Sequence, residues 1–127
     1  MVGWNIYLNY NSTMDKELIA KKESANDGQS IFLYYDRMVG VYLGFGLSAY
    51  YSTMITEPFM SYSDEMDMPV AILRREHVLT LRMSMERTEH RPQEFYHLTM
   101  TRPPVGDAGY DKWSSKIKEK HYASRKK

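Results

Sequence analysis

Acidic side chains cluster at one place in the chain, where Asp64, Glu65 and Asp67 lie within four residues. Hard cations such as calcium and magnesium bind oxygen ligands at this density. The stretch has neither the central glycine nor the late glutamate of an EF-hand loop. The pattern therefore favours a solvated acidic loop, and we predict no metal or other cofactor.

The histidines have no neighbours that would complete a catalytic site. Glu94 and His97 are three residues apart, a spacing that carboxylate–histidine metal sites use on helices. They fall on a predicted strand, where residues three apart point to opposite faces. His77 has no serine or aspartate that spacing would pair with it, and the chain has no cysteine and no Gly-Lys-Ser/Thr phosphate loop. We therefore predict a protein that is not an enzyme.

Arginines make the middle of the chain locally basic, at Arg74, Arg75 and Arg82. The planar guanidinium donates two parallel hydrogen bonds to a phosphate, so these residues are candidates for contact with a nucleic-acid backbone. The alternative is that these arginines form salt bridges on the surface with acidic neighbours such as Glu76 and Glu86.

The end of the chain is also basic. Residues 111–127 contain seven Lys and Arg against two acids, a charge of +5, whereas the whole chain carries +1. We predict one globular domain over residues 1–110 and a basic tail over residues 111–127. Such a tail suits nucleic-acid contact or serves as a solubilising end. Its candidate phosphate ligands are Lys116, Lys118, Lys120, Arg125, Lys126 and Lys127.

Composition points to one small domain. The chain has 127 residues, of which 43% are hydrophobic, enough for a single core. Ten Met and eleven Tyr stand against four Phe, a bias that suits either an adaptable interface or a core built from these residues. The first residues lack the basic start and apolar run of a signal peptide, and no stretch is long and apolar enough for a membrane span. A cytoplasmic location is expected.

Hydrophobic patterning predicts alternating helices and strands. We expect helices over residues 14–24 and 47–55, a polar loop over 56–68, and strands over 31–35, 39–46, 69–73 and 95–100. Residues 77–89 alternate in strand fashion, which we favour, although a helix also fits their composition. The predicted class is α/β or α+β, a single small domain with a mixed sheet flanked by helices. A mainly antiparallel meander built from residues 39–46, 70–73, 78–85 and 95–100 is the alternative.

One run resembles a known family. Residues 31–49 (IFLYYDRMVGVYLGFGLSA) are similar to the first strand region in the N-terminal, mismatch-recognition domain of the MutS DNA mismatch-repair family. There an apolar strand is followed by R-M-G-D-F-Y-E-x-F and an alanine. The matching residues are Arg37, Met38, Tyr42, Phe45 and Ala49. Residues 68–73 with His77 resemble the family's I-P-M-A-G-I-P-x-H, and residues 95–104 fall where the family has a strand followed by a proline.

The resemblance implies DNA as partner and a helix over residues 77–89. It also implies a lost function, because the family reads a mismatch with a Phe that wedges beside the base and a Glu two residues later. Val41 and Leu43 stand at those positions. Valine cannot stack on a base as an aromatic ring does, and leucine cannot accept a hydrogen bond.

These observations favour a non-catalytic binding protein whose candidate partner is DNA, held nonspecifically through its phosphates. The alternative is a protein-interaction or inhibitor module that uses a surface rich in Met and Tyr. Salt separates the two, because phosphate binding weakens steeply as salt rises, whereas an apolar interface does not.

Overall fold

The computed structural model describes residues 16–26, 30–85, 87–91, 95–99 and 109–125. Within these ranges there are four helices and six strands. In chain order they are α1 (Lys16–Ser24), β1 (Ser30–Asp36), β2 (Val41–Phe45), α2 (Leu47–Ile55), β3 (Phe59–Ser63), β4 (Met68–Leu73), α3 (Arg75–Ser84), β5 (Arg87–Arg91), β6 (Phe95–Thr99) and α4 (Tyr110–Arg125). None of the described helices has the length and apolar character needed to cross a bilayer.

The strands form one sheet in the order β3-β4-β2-β1-β6-β5. Every described strand pair is antiparallel, so the predicted α+β class is confirmed, and the sheet is antiparallel where a mixed one was expected. Antiparallel neighbours follow from the short connections between β1 and β2 and between β3 and β4, since parallel pairs need long crossovers.

The two central strands are buried on both faces. Leu33 on β1 belongs to a cluster that includes Tyr51 of α2 and Leu81 of α3. Leu43 on β2 belongs to a second cluster, which includes Ile19 of α1. Because side chains alternate along a strand, neighbouring residues of β1 and β2 serve the two clusters in turn. This two-sided burial explains why residues 31–35 are a continuous apolar run.

The strand predicted within residues 77–89 is wrong over most of its length. Residues 75–84 form α3, in which Val78 and Leu81 are buried. Leu79 and Met83 are exposed by 47% and 88%. Burial at positions three apart is a helical pattern. The Nδ1 atom of His77 accepts a hydrogen bond of 2.9 Å from the backbone N–H of Arg74, which helps the helix begin there.

The predicted loop over residues 56–68 contains a strand. β3 pairs with β4 through a four-residue turn, and Tyr62 is 7% exposed. The polar composition of residues 56–68 did not indicate this strand, because Tyr62 is the one buried residue of β3.

The basic segment 111–127, predicted as a tail, contains the greater part of α4. Trp113 packs against the larger core cluster, with its ring centroid 5.1 Å from that of Tyr50. Residues 126 and 127 lie outside the described part of the chain.

Candidate functional site

The predicted phosphate ligands lie on two different helices. Arg74 immediately precedes α3, and Arg75 and Arg82 lie in its first and last turns; all three are exposed. The lysines lie on α4, with Lys116 and Lys120 exposed. α2 contacts both of these helices. The side chain of Arg125 and residues 126 and 127 lie outside the part of the chain that the structure describes.

The α4 lysines are partly committed to the acidic turn between β3 and β4. Lys118 Nζ lies 3.1 Å from Asp67 Oδ1, and Asp67 also accepts a hydrogen bond from the Tyr62 hydroxyl. The Tyr62 bond, followed by the pairing with Lys118, lowers the pKa of Asp67, and the same pairing raises the pKa of Lys118. Lys16 Nζ lies 2.5 Å from Glu65, and His121 Nε2 lies 3.5 Å from Asp64. Lys16 of α1 and Lys118 of α4 thus each pair with one carboxylate of the turn. Across the described residues, no His, Asp and Glu form a group suited to a metal ion.

The α3 arginines have different surroundings. Arg74 lies over the ring of Phe59, 5.4 Å from its centroid, and Arg82 lies over the ring of Tyr96 at 5.7 Å. Within the described part of the chain, neither Arg75 nor Arg82 has a carboxylate in ion-pair range. The charges of these two guanidinium groups are therefore available to an anionic ligand.

Three tyrosines meet beside Arg75 and Arg82, and we call them the tyrosine cluster: Tyr35 on β1, Tyr42 on β2 and Tyr96 on β6. Tyr35 and Tyr42 are directly paired in the sheet, with ring centroids 4.9 Å apart. Tyr42 and Tyr96 reach across β1 to a centroid distance of 5.2 Å. All three are partly exposed.

The tyrosine cluster also interacts electrostatically with α3, through Arg75. Burial above all, together with the neighbouring hydroxyls of Tyr96 and Tyr35, raises the pKa of Tyr42 to about 12, while the charge of Arg75 opposes this rise. Sequence reasoning missed this cluster because residues 35, 42 and 96 come together only through the strand register.

A cavity of about 580 Å³ lies at the other end of the sheet, between α1, α2 and α4. Its lining includes Glu23, Gly46, Met68 and Tyr110, and neither His77 nor His97. His97 instead hydrogen-bonds Ser30 at 3.0 Å and stacks on Phe32. The cavity therefore joins a carboxyl group to a tyrosine, with no described histidine beside them.

Glu23 is the other residue that sequence reasoning missed. It is 6% exposed, and its carboxyl group accepts hydrogen bonds from the backbone N–H of Ser48 at 3.0 Å and from the Ser48 hydroxyl at 2.5 Å. These donors lie in the first turn of α2, where Gly46 offers no side-chain cap, so α1 supplies the cap. Burial raises the pKa of Glu23 from its ordinary 4.5 to about 7, and the bonds from Ser48 and Asn26 oppose this rise. The available signal was a charged residue one turn after Ile19, on the buried side of α1.

Gly46 sits at the base of this cap with φ 57° and ψ −124°, a conformation that L side chains avoid. A Cβ atom there would lie 3.4 Å from Met68 Sδ, 3.5 Å from Tyr110 Oη and 3.6 Å from Glu23 Oε1. Gly46→Ala is therefore expected to cost about 1–3 kcal/mol in the free energy of unfolding, measured by urea denaturation. These distances are ordinary van der Waals contacts, so the expected cost comes from the backbone conformation. Gly40→Ala is the comparison, since Gly40 also has positive φ and a Cβ there would lie 3.9 Å from Tyr35 Oη. A cost of Gly46→Ala below about 1 kcal/mol would contradict the backbone strain described here.

Comparison of the chain with protein-family models, with curated proteins and with solved structures gives no match. Val41 and Leu43, which occupy the base-reading positions of the MutS resemblance, are partly buried and fully buried apolar residues.

Proposed function

We propose that this domain is a non-catalytic nucleic-acid-binding module that holds phosphates through the arginines of α3. One observation carries the proposal: Arg75 and Arg82 are exposed, lack a described carboxylate partner and lie beside the tyrosine cluster. Guanidinium groups bind phosphate through paired hydrogen bonds, and aromatic neighbours are typical of nucleic-acid surfaces. Arg74 extends the basic surface, while the α4 lysines add charge at a distance.

The test is binding of the full chain to labelled DNA, both single-stranded and duplex, at low and physiological salt. We expect affinity to fall steeply with salt. Arg75→Gln with Arg82→Gln should weaken binding and reduce the slope of log affinity against log salt by about 2, since each phosphate contact contributes about 1.

Lys116→Gln with Lys120→Gln is the matched control, because it removes the same charge from exposed positions on α4. An equal loss in this control would reduce the interaction to nonspecific attraction. No binding at low salt would refute the proposal. Truncation before α4 is unsuitable as a test, since Trp113 packs against the core.

A protein partner is the second candidate, and exposed apolar residues on α3 favour it. Leu79 and Met83 are one turn apart, exposed by 47% and 88%. Methionine suits an adaptable contact surface. This candidate predicts a partner whose binding resists salt, is lost in Leu79→Glu with Met83→Glu, and survives the double arginine change.

A further inference from the structure

The rings of the tyrosine cluster differ from the tyrosines that fill the core. Tyr34 and Tyr51 are 2% and 0% exposed. Tyr35, Tyr42 and Tyr96 instead stay partly exposed, and Tyr35 lies outside the buried cluster against which the other two pack. A ring that is held in place and still partly open to solvent can present a planar surface to a ligand at little cost in side-chain entropy.

The cluster lies at a point where the sheet and α3 offer two kinds of contact together. Tyr35 and Tyr42 converge at 4.9 Å, and Arg82 lies over the ring of Tyr96. Ring surface and guanidinium charge are therefore adjacent.

These two kinds of contact match the two parts of an unpaired nucleotide. A base has a flat apolar face that stacks on an aromatic ring, and a phosphate carries the charge that arginine binds. In a duplex the bases are stacked on each other, so only phosphates would reach this surface.

From this geometry, and resting on the proposed function, we infer that the tyrosine cluster makes the site selective for single-stranded nucleic acid. Bases stack on the open rings, above all on Tyr35, while Arg75 and Arg82 bind the adjoining phosphates.

The experiment compares fluorescence anisotropy of the full chain with four labelled probes of equal length: oligo-dT, oligo-U, a DNA duplex and an abasic single strand. The abasic strand keeps the phosphates and lacks the bases. Tyr35→Ala is expected to weaken oligo-dT binding by about 5- to 100-fold, the usual effect of one lost stacking contact. Duplex and abasic binding should stay unchanged, and Tyr35→Phe should keep the affinity, because phenylalanine retains the ring.

Each outcome decides a separate point. Tighter binding of oligo-dT or oligo-U than of the duplex and the abasic strand, lost in Tyr35→Ala, supports the inference, and the stronger of the two single strands identifies the nucleic acid. Arginine-dependent binding that is equal for all probes, or unaffected by Tyr35→Ala, overturns the inference and leaves the proposed function standing. No salt-sensitive binding to any probe overturns both. The melting temperature of Tyr35→Ala, compared with that of Tyr35→Phe, checks that the fold is intact.

Discussion

Glu23→Gln is expected to stabilise the protein by about 3 kcal/mol at pH 8 and by less than about 1 kcal/mol at pH 5. The carboxyl group is buried, and its pKa is raised from 4.5 to about 7. Desolvation of the carboxylate therefore outweighs its bonds to the first turn of α2. Glutamine keeps an oxygen that accepts a hydrogen bond from Ser48 N–H and carries no charge.

The direction of the pH dependence follows from proton binding. Between pH 4.5 and 7 the folded protein keeps a proton on Glu23 that the unfolded chain releases, so stability falls as the pH rises through this window. Below 4.5 both states are protonated and this cost is absent. Above 7 both states are ionised and the full cost is present.

Urea unfolding of both proteins across pH 5–8 measures the effect, and the difference between them removes contributions from the histidines. Glu23→Ala is the control for the cap, since it removes charge and acceptor together. It should be less stable than Glu23→Gln by about 1 kcal/mol at every pH. A difference between wild type and Glu23→Gln that does not change with pH would show that the carboxyl group titrates normally.

Leu43→Ala and Leu33→Ala should each lower the free energy of unfolding by about 2–5 kcal/mol. Both side chains are fully buried, on neighbouring strands and in the two separate core clusters. Similar losses of stability in the two variants would show that the buried clusters on both faces of the sheet stabilise the fold. If Leu43→Ala were as mild as a surface change, the second cluster would contribute little to stability.

The reference for these changes is Leu79→Ala, also a leucine truncation but on the exposed side of α3. It should change stability by less than about 0.5 kcal/mol. Denaturant midpoints for the three variants, at unchanged slope, provide the comparison.

Elements with strong local signals were predictable from sequence. The helix predicted over residues 47–55 has those bounds in the structure, and the apolar runs at 31–35 and 69–73 lie on β1 and β4, inside the sheet. Residues 77–89 were not, because Leu79, Leu81 and Met83 fit the period of a strand, whereas Val78, Leu81 and Met85 fit that of a helix. In the structure Val78 and Leu81 are buried, and this burial favours the helix. A local sequence pattern does not show which residues will be buried by tertiary packing.

The candidate site was predictable only in part. The arginines were visible as residue types, but their separation from the lysines depends on where α3 and α4 pack. The tyrosine cluster depends on the pairing of β1 with β2 and β6, and the Glu23 cap depends on a contact between two helices. Each of these three features depends on contacts between residues that are far apart in the chain, so a short stretch of sequence does not reveal it.

The strand order has a consequence for how this chain folds. β1 lies at the middle of the sheet, yet its partner on one side, β6, is roughly 60 residues further along the chain. While the chain is still on the ribosome, strands β3, β4, β2 and β1 can pair early. The edge of β1 that pairs with β6 stays open until residues 95–99 emerge. During that interval the chain presents an apolar strand edge of the kind that recruits other chains. Synthesis that stops short of β6 should therefore yield aggregation rather than a smaller folded protein.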